Sequence, residues 1–252
     1  YDYQKDYFLG SKSQVTLYKG HLGIGVAEPS GQLELAGDER IQEYPPGPMD
    51  GYSTYMEGHG VFGLHHSGHH SSGPILRAFN KTAATTNSDF WYSQTTSYNG
   101  TDNAYDSNGS GEGGVAISPI GINGEWMYIT LPYHVDMKYL QLTARNGEPT
   151  SAPKSAVIFG STDGGVTWEQ VGSFTNRTVS NHWLDGGVPS PSFVINSKKP
   201  LNAIGFVVTH SNSNYAFTLG EIKFFGTPGP TTLDKGSLTL GRSLDVPRIS
   251  RY

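Results

Sequence analysis

The sequence predicts an all-β protein. Three observations carry this. Short segments alternate polar and apolar residues with the period of two that a half-buried strand requires. Gly, Pro and Asn turn signals separate them at short, regular intervals. No long stretch places apolar residues at helical spacing. Regular short strands with such turns read as an antiparallel sandwich or a barrel.

Composition agrees with this and excludes several functions. The chain has 252 residues with 17 Lys+Arg against 22 Asp+Glu, a net charge of -5, and only 15% of its residues are charged. So mild a charge draws the chain neither to nucleic acid nor to an anionic membrane. Aromatic residues make up 12%, enough apolar area to offset chain entropy and argue against disorder. Cysteine is absent, which removes disulfides, thiol catalysis and thiolate metal sites. No apolar run approaches the ~20 residues of a membrane-spanning helix. Tyr1-Asp2-Tyr3-Gln4-Lys5-Asp6 lacks the basic and apolar regions of a signal peptide.

Three zones follow along the chain. Residues 1–42 hold Gln14–Tyr18, Gly20–Gly25 and Gln32–Gly37, short strands punctuated by glycine with too little material for a core of their own. They are expected to dock on another domain or on other chains. Residues 43–228 form the main domain. Its first half, to about Gly114, reads as turn-rich and irregular. Its second half reads as strands at Trp126–Leu131, Tyr139–Ala144, Ala156–Gly160, Thr167–Val171, Ser192–Ile195, Ala203–Thr209 and Phe217–Phe225, parted by Asn146-Gly147, Asp163-Gly164-Gly165, Asp185-Gly186-Gly187 and Lys199-Pro200. Residues 229–252 open on the breaker Pro228-Gly229-Pro230 and end in a strand-forming tail with Arg242, Arg248 and Arg251.

The main domain resembles the discoidin, or coagulation factor 5/8 type C, family of galactose-binding-like domains. The likeness rests on Glu125-Trp126-Met127-Tyr128-Ile129-Thr130-Leu131-Pro132, on Phe159-Gly160-Ser161-Thr162-Asp163-Gly164-Gly165-Val166-Thr167-Trp168, on Gly205–Thr209 and on Leu219–Gly226, in that order over about residues 115–226. The central piece follows the family's G-S-x-D-G-x-x-W hairpin, in which Asp163-Gly164-Gly165 supplies the positive-φ turn and Trp168 is expected to fill the core. The resemblance implies a jelly-roll β-sandwich, with residues 1–42 and 229–252 as short β extensions. Gly20-His21-Leu22-Gly23-Ile24-Gly25 through Pro29 to Leu33-Glu34-Leu35-Ala36-Gly37 looks like the element that precedes receptor-binding domains in trimeric phage and viral fibres. Leu238–Gly241 with Val246–Ser250 looks like endings of structural proteins of large algal viruses.

The family resemblance implies binding rather than catalysis, with end loops holding glycans, phospholipid headgroups or proteins. A sugar site needs an aromatic face and a few polar groups. The candidates are Tyr52, Tyr55, Trp91, Tyr98 and Trp183, with a core role as the alternative for Trp91 and Trp183. His65-His66-Ser67-Gly68-His69-His70 is the most unusual local feature. Imidazoles ligate transition metals, and a polar loop or an inter-chain contact is the competing reading. The resemblance also implies a structural Ca²⁺ held by Glu221 of the last strand, with Asn80, Asn87 and Asp89 as partners. Asn80, Asn99, Asn108 and Asn176 head N-x-S/T sequons. The chain has no G-x-S-x-G, H-E-x-x-H or P-loop, so no enzyme is expected.

The function expected is a non-catalytic virion surface, fibre or minor capsid protein, homotrimeric and in contact with other virion proteins, that binds host-surface glycans. A purely structural assembly protein and an extracellular adhesin of an alga or protist are the alternatives.

Overall fold

The computed structural model describes residues 40–82, 89–95, 97–106 and 116–229 with their side chains, and the backbone of four strands at 15–18, 21–24, 33–35 and 231–233. The chain divides into two compact units. One comprises Tyr1–Glu39, Glu57–Gly60 and Pro228–Tyr252, the other Arg40–Met56 and Val61–Thr227.

In the first unit, β1 (Val15–Tyr18), β2 (His21–Ile24), β3 (Leu33–Leu35) and β15 (Thr231–Leu233) form one sheet in the order β1-β2-β3-β15. β1 and β2 run antiparallel with Tyr18 opposite His21, β2 and β3 run parallel, and β15 lies antiparallel to β3. Segments far apart in sequence thus share one ladder. The arginine-bearing tail strand expected beyond residue 237 lies outside the described residues.

The second unit is an all-β sandwich built around β8, which runs through all nineteen residues of Glu125–Thr143. Two separate strands, Trp126–Leu131 and Tyr139–Ala144, were expected here. Pro132 removes one amide, yet the strand passes through it. The neighbour β12 (Leu201–Ser211) absorbs the defect with a register shift between Leu201, opposite Val135, and Ala203, opposite Thr130. The first half of β8 pairs with β12 and with β6 (Gly60–His66). β6 forms a hairpin with β5 (Ser53–Met56). β9 (Pro153–Ser161) and β10 (Glu169–Phe174) extend this side, and β10 is its edge. The second half of β8 pairs with β11 (Phe193–Val194) and neighbours β14 (Glu221–Pro228), which carries β4 (Gln42–Tyr44). β7 (Trp91–Tyr92) pairs with β13 (Thr218–Leu219).

Alternation explains the layering. Met127, Ile129 and Leu131 from the first half of β8, and Leu140 and Leu142 from the second, enter one core with Phe206 and Val208 of β12 and Ile222 and Phe224 of β14. Hairpin β5–β6 corrects the expectation of an irregular first half. Thr54 and Met56, then Phe62 and Leu64, point inward at every second residue. Gly60 and Gly63 and the short length of β5 hide that pattern in the sequence.

The expected hairpin between β9 and β10 is built by its aspartate. Gly164 and Gly165 adopt φ of +73° and +97°, which favours glycine. Asp163 accepts from the amides of Val166 and Thr167 at 3.1 and 2.9 Å and from the hydroxyls of Thr167 and Ser161 at 2.6 and 2.7 Å. These bonds hold its carboxyl far below the usual carboxylate range. Trp168 does not fill the core. It lies on the outer side of the sheet, edge-on to Phe159 at 5.2 Å and to Tyr128 at 4.7 Å, with its indole N–H donating to Gly165 O. Replacing Asp163 with Ala is expected to lower the melting temperature by a few degrees at pH 7. A depressed carboxylate contributes above its unfolded pKa and loses the contribution as pH falls through the folded value. The gap between variant and wild type therefore closes in melts toward pH 2.

Candidate functional site

Four loops meet at one end of the sandwich, and their backbone bonds fix the arrangement. His70 N donates to Tyr92 O at 2.8 Å, and Tyr92 N donates to Gly73 O at 2.9 Å. Gly73 is needed for this approach, because a Cβ there would lie 2.5 Å from Tyr92 Cβ and 2.8 Å from Tyr92 N. Past β8, Glu148 N closes a turn onto Arg145 O at 3.1 Å, and Asp185 accepts from Gly147 N at 2.6 Å. Ser97 N donates to Tyr215 O at 3.2 Å and Tyr215 N donates to Ser213 Oγ.

The side chains in direct contact are Arg145, Phe90, Tyr92 and His70, and the Tyr215 phenol is near enough to act on that of Tyr92. The Arg145 guanidinium lies 3.9 Å over the Phe90 ring, a cation–π contact that holds its fork in place. Tyr92 lies 6.0 Å from Phe90 and 5.1 Å from His70, centroid to centroid. His70 Nδ1 shares a 2.7 Å hydrogen bond with Ser72 Oγ. Burial pushes the Tyr92 phenol up, Tyr215 adds to this, and Arg145 pulls the other way. Tyr215 is 46% exposed. The result is a partly buried aromatic floor, a fixed planar cation and an outer tyrosine.

The aromatic residues singled out in the sequence divide. Trp91, Tyr98 and Trp183 are buried, which corrects their assignment as ligand contacts. Trp91 packs edge-on to Phe217 at 4.8 Å and bonds Gly68 O through its indole N–H. Tyr98 donates to Val208 O at 3.2 Å. Trp183 donates to Pro153 O at 2.9 Å. Each hides its ring and satisfies its polar tip inside the protein. Tyr52 and Tyr55 stay exposed on the β5 hairpin, and the Tyr52 ring lies 5.3 Å from His66.

The histidines do not converge as a metal centre. Among the described residues no group of three His, Asp or Glu side chains could hold an ion. His65 and His66 are consecutive on β6, not in a loop, so they face opposite ways. His65 stacks on Tyr128 at 4.5 Å, its partner across the ladder. His66 packs on His69 at 5.1 Å, and His70 turns to Tyr92. Burial, then the charge of His69, lowers His66 to about 4, so it stays neutral at physiological pH.

The calcium residues fit only in part. Glu221 is 3% exposed, and neither carboxylate oxygen has a hydrogen-bond partner. Burial pushes it up to about 7, against the opposing charges of Lys81 and Lys223. Lys81 is itself hydrogen-bonded to Glu43, and Lys223 lies 3.8 Å from Glu43. A buried carboxylate with two open oxygens suits a hard cation. Glu221 would supply at most two of the about six to eight oxygens that calcium takes, and Glu43, Lys81 and Lys223 beside it already balance the site's charge. Asn80 is not turned to such an ion, because its Oδ1 accepts from Thr82 N at 2.9 Å. Asp89 is half-buried and Asn87 lies outside the described residues.

Of the sequon asparagines, Asn176 is exposed with φ +52°, and Asn99 uses its Oδ1 on the amides of Thr101 and Asp102. Asn108 lies outside the described residues.

Sequence reasoning missed Arg145, Tyr215 and Glu125. The signal for Arg145 was its place before Asn146-Gly147, where β8 leaves the sheet. Glu125 is buried and accepts from the hydroxyls of Ser67 and of Ser97, the latter at 3.3 Å, tying two site loops to β8.

No protein-family model matches the chain, and no curated protein matches it. Among solved structures the chain is similar to a family 32 carbohydrate-binding module, CBM32-3, from a family 31 glycoside hydrolase of Clostridium perfringens. The identity is 15% over 65% of this chain and 90% of that one, with a TM-score of 0.44. It is also similar to chitosan-binding module 1 of a chitosanase/glucanase from Paenibacillus sp. IK-5, at 14% identity over 65% and 93%, with a TM-score of 0.43. The family 32 module of Clostridium perfringens NanJ, solved in complex with galactose, matches at 10% identity over 65% and 93%, with a TM-score of 0.41. Such identities transfer no residue's role, and the all-β sandwich is read from its own strands. Among the described residues no helix is long and apolar enough to cross a membrane.

Proposed function

We propose that the sandwich is a non-catalytic module that binds glycans at its loop end. The observation that carries this is the Arg145 guanidinium fixed on Phe90 beside Tyr92. A sugar ring offers a C–H face to an aromatic side chain and hydroxyl pairs to a forked donor. Arg145 and the tyrosines supply both on loops braced by backbone bonds. The protein's role in this proposal is attachment at a surface, a virion or fibre carrying several copies so that weak contacts multiply.

The test is a glycan array probed with the whole chain, followed by calorimetry on the best neutral oligosaccharide. Arg145→Gln and Tyr215→Ala are each expected to weaken binding about tenfold, the worth of one charge-assisted hydrogen bond or one stacking contact. Absence of any glycan binding, or binding that both variants leave unchanged, would overturn the proposal.

A further inference from the structure

A second concave surface lies between the edge strand β10 and β11. It is an open groove of about 550 Å³. The register of β10 shifts between Gln170 and Gly172, and the small Gly172 lets β10 come close to β11. A Cβ at Gly172 would lie 2.8 Å from Val194 O. Val171 and Phe193 form a buried floor, with Phe174 stacked on Phe193 at 4.0 Å. The backbone bond from Asn196 N to Val171 O at 2.7 Å ties the two strands together.

The walls are uncharged and polar except at one point. Gln170, Ser173, Ser192 and Asn196 contribute amides and hydroxyls, and Arg177 is the one charged residue of the lining. Its Nε is shielded from solvent and has no hydrogen-bond partner. Next to the floor, the His182 ring lies 4.7 Å from Phe193. His182 is 7% exposed, and its Nε2 is likewise without a partner. Burial and then the charge of Arg177 lower His182 to about 4, so the ring is neutral and its Nε2 can carry a proton to donate. A buried nitrogen left without a partner costs roughly 1–3 kcal/mol. Arg177 lines the groove, and His182 lies behind its Phe193 floor. No lining residue is acidic, so an anion entering meets no like charge.

We propose that this groove binds an anionic sugar residue, its acidic group on Arg177 and its hydroxyls on Gln170, Ser173, Ser192 and Asn196. The proposal rests on the reading of the sandwich as a saccharide-binding module but uses none of the loop-end residues. A carboxylate and a sulfate ester both satisfy the chemistry, and the choice of probe separates them.

The experiment is titration calorimetry of the whole chain at one fixed salt concentration. The probes are an oligogalacturonate tetrasaccharide, a heparin-derived tetrasaccharide and a neutral galactose-containing tetrasaccharide. The proteins are wild type, Arg177→Gln, Ser192→Glu and Arg145→Gln. Ser192 is exposed, so the glutamate tests the groove without touching the core. At least one anionic probe is expected to bind wild type and Arg145→Gln alike and to weaken about tenfold in Arg177→Gln and in Ser192→Glu. Preference for galacturonate assigns a carboxylate, and preference for the heparin fragment assigns a sulfate. If neither anionic probe binds wild type, or if either groove variant binds like wild type, the proposal falls. The neutral probe reports separately on the loop end, so failure of the loop-end reading shows as loss or indifference in that arm alone.

Discussion

Gly205→Ala is expected to destabilise the sandwich by about 3 kcal/mol, at the upper end of overpacking costs, and to lower the melting temperature by about 10 °C. Gly205 sits on β12 between Tyr128 of β8 and Phe159 of β9. A Cβ there would lie 2.1 Å from Met127 O, 2.5 Å from Tyr128 Cβ and 2.7 Å from Tyr128 Cα. Two of these are backbone atoms of the longest strand, so no rotamer change relieves the clash. The strand itself must move, and β12 pairs on both sides. Gly100→Ala is the control, because its nearest contact is Asn214 Nδ2 at 3.8 Å. The pair of variants, compared by thermal or urea melts, is expected to differ by the whole effect. Equal melting temperatures would show that β12 and β8 lie farther apart than described.

That glycine was quoted in the sequence as part of Gly205–Thr209, but its reason was not legible there. A strand signal depends on alternation within one segment, whereas a missing side chain answers to a neighbour fifty or more residues away. The same division runs through the fold. Most strands from Glu125 onward were legible because their alternation is regular and their turns carry Asn-Gly or Asp-Gly, but the one strand expected over Phe217–Phe225 divides at Gly220 into β13 and β14, which belong to different sheets. The positive-φ hairpin after Asp163 was legible for the same reason. Hairpin β5–β6 was hidden by its glycines, and the gap expected between Leu131 and Tyr139 vanished because β12 takes up the irregularity. For the aromatic residues, composition fixed number but not direction. Trp91, Tyr98 and Trp183 look like Tyr52 and Tyr55 in sequence, and only packing sends three inward and leaves two out. The loop-end cluster was the least legible part. Its members come from residues 70, 90, 92, 145 and 215, and nothing local to any one of them announces the others.

Glu221 is expected to make the metal-free protein less stable as pH rises. Its carboxyl titrates near 4.5 when unfolded and at about 7 when folded, because burial disfavours the charged form more than Lys81 and Lys223 favour it. Between those values the folded state binds more protons than the unfolded state, so stability falls with rising pH. The contribution is fully present below about pH 4.5 and lost by about pH 7. The shift corresponds to about 3 kcal/mol. The neutral histidines His66 and His182, each lowered to about 4, act in the opposite sense. They destabilise the fold as pH falls below their unfolded value, so the raw curve mixes the two. The difference between wild type and Glu221→Gln isolates the carboxylate. In EDTA the variant is expected to gain on wild type progressively from pH 4.5 to 7, measured by urea melts. A cation on the open carboxylate reverses the sign, since it favours the ionised form. Glu221 already faces Lys81 and Lys223 and brings no second described ligand with it, so millimolar calcium is expected to leave both melting temperatures at pH 7 unmoved. A rise of several degrees in wild type alone would show a calcium site. If calcium moves neither protein while the pH difference persists, Lys81 and Lys223 are the only cations that Glu221 has.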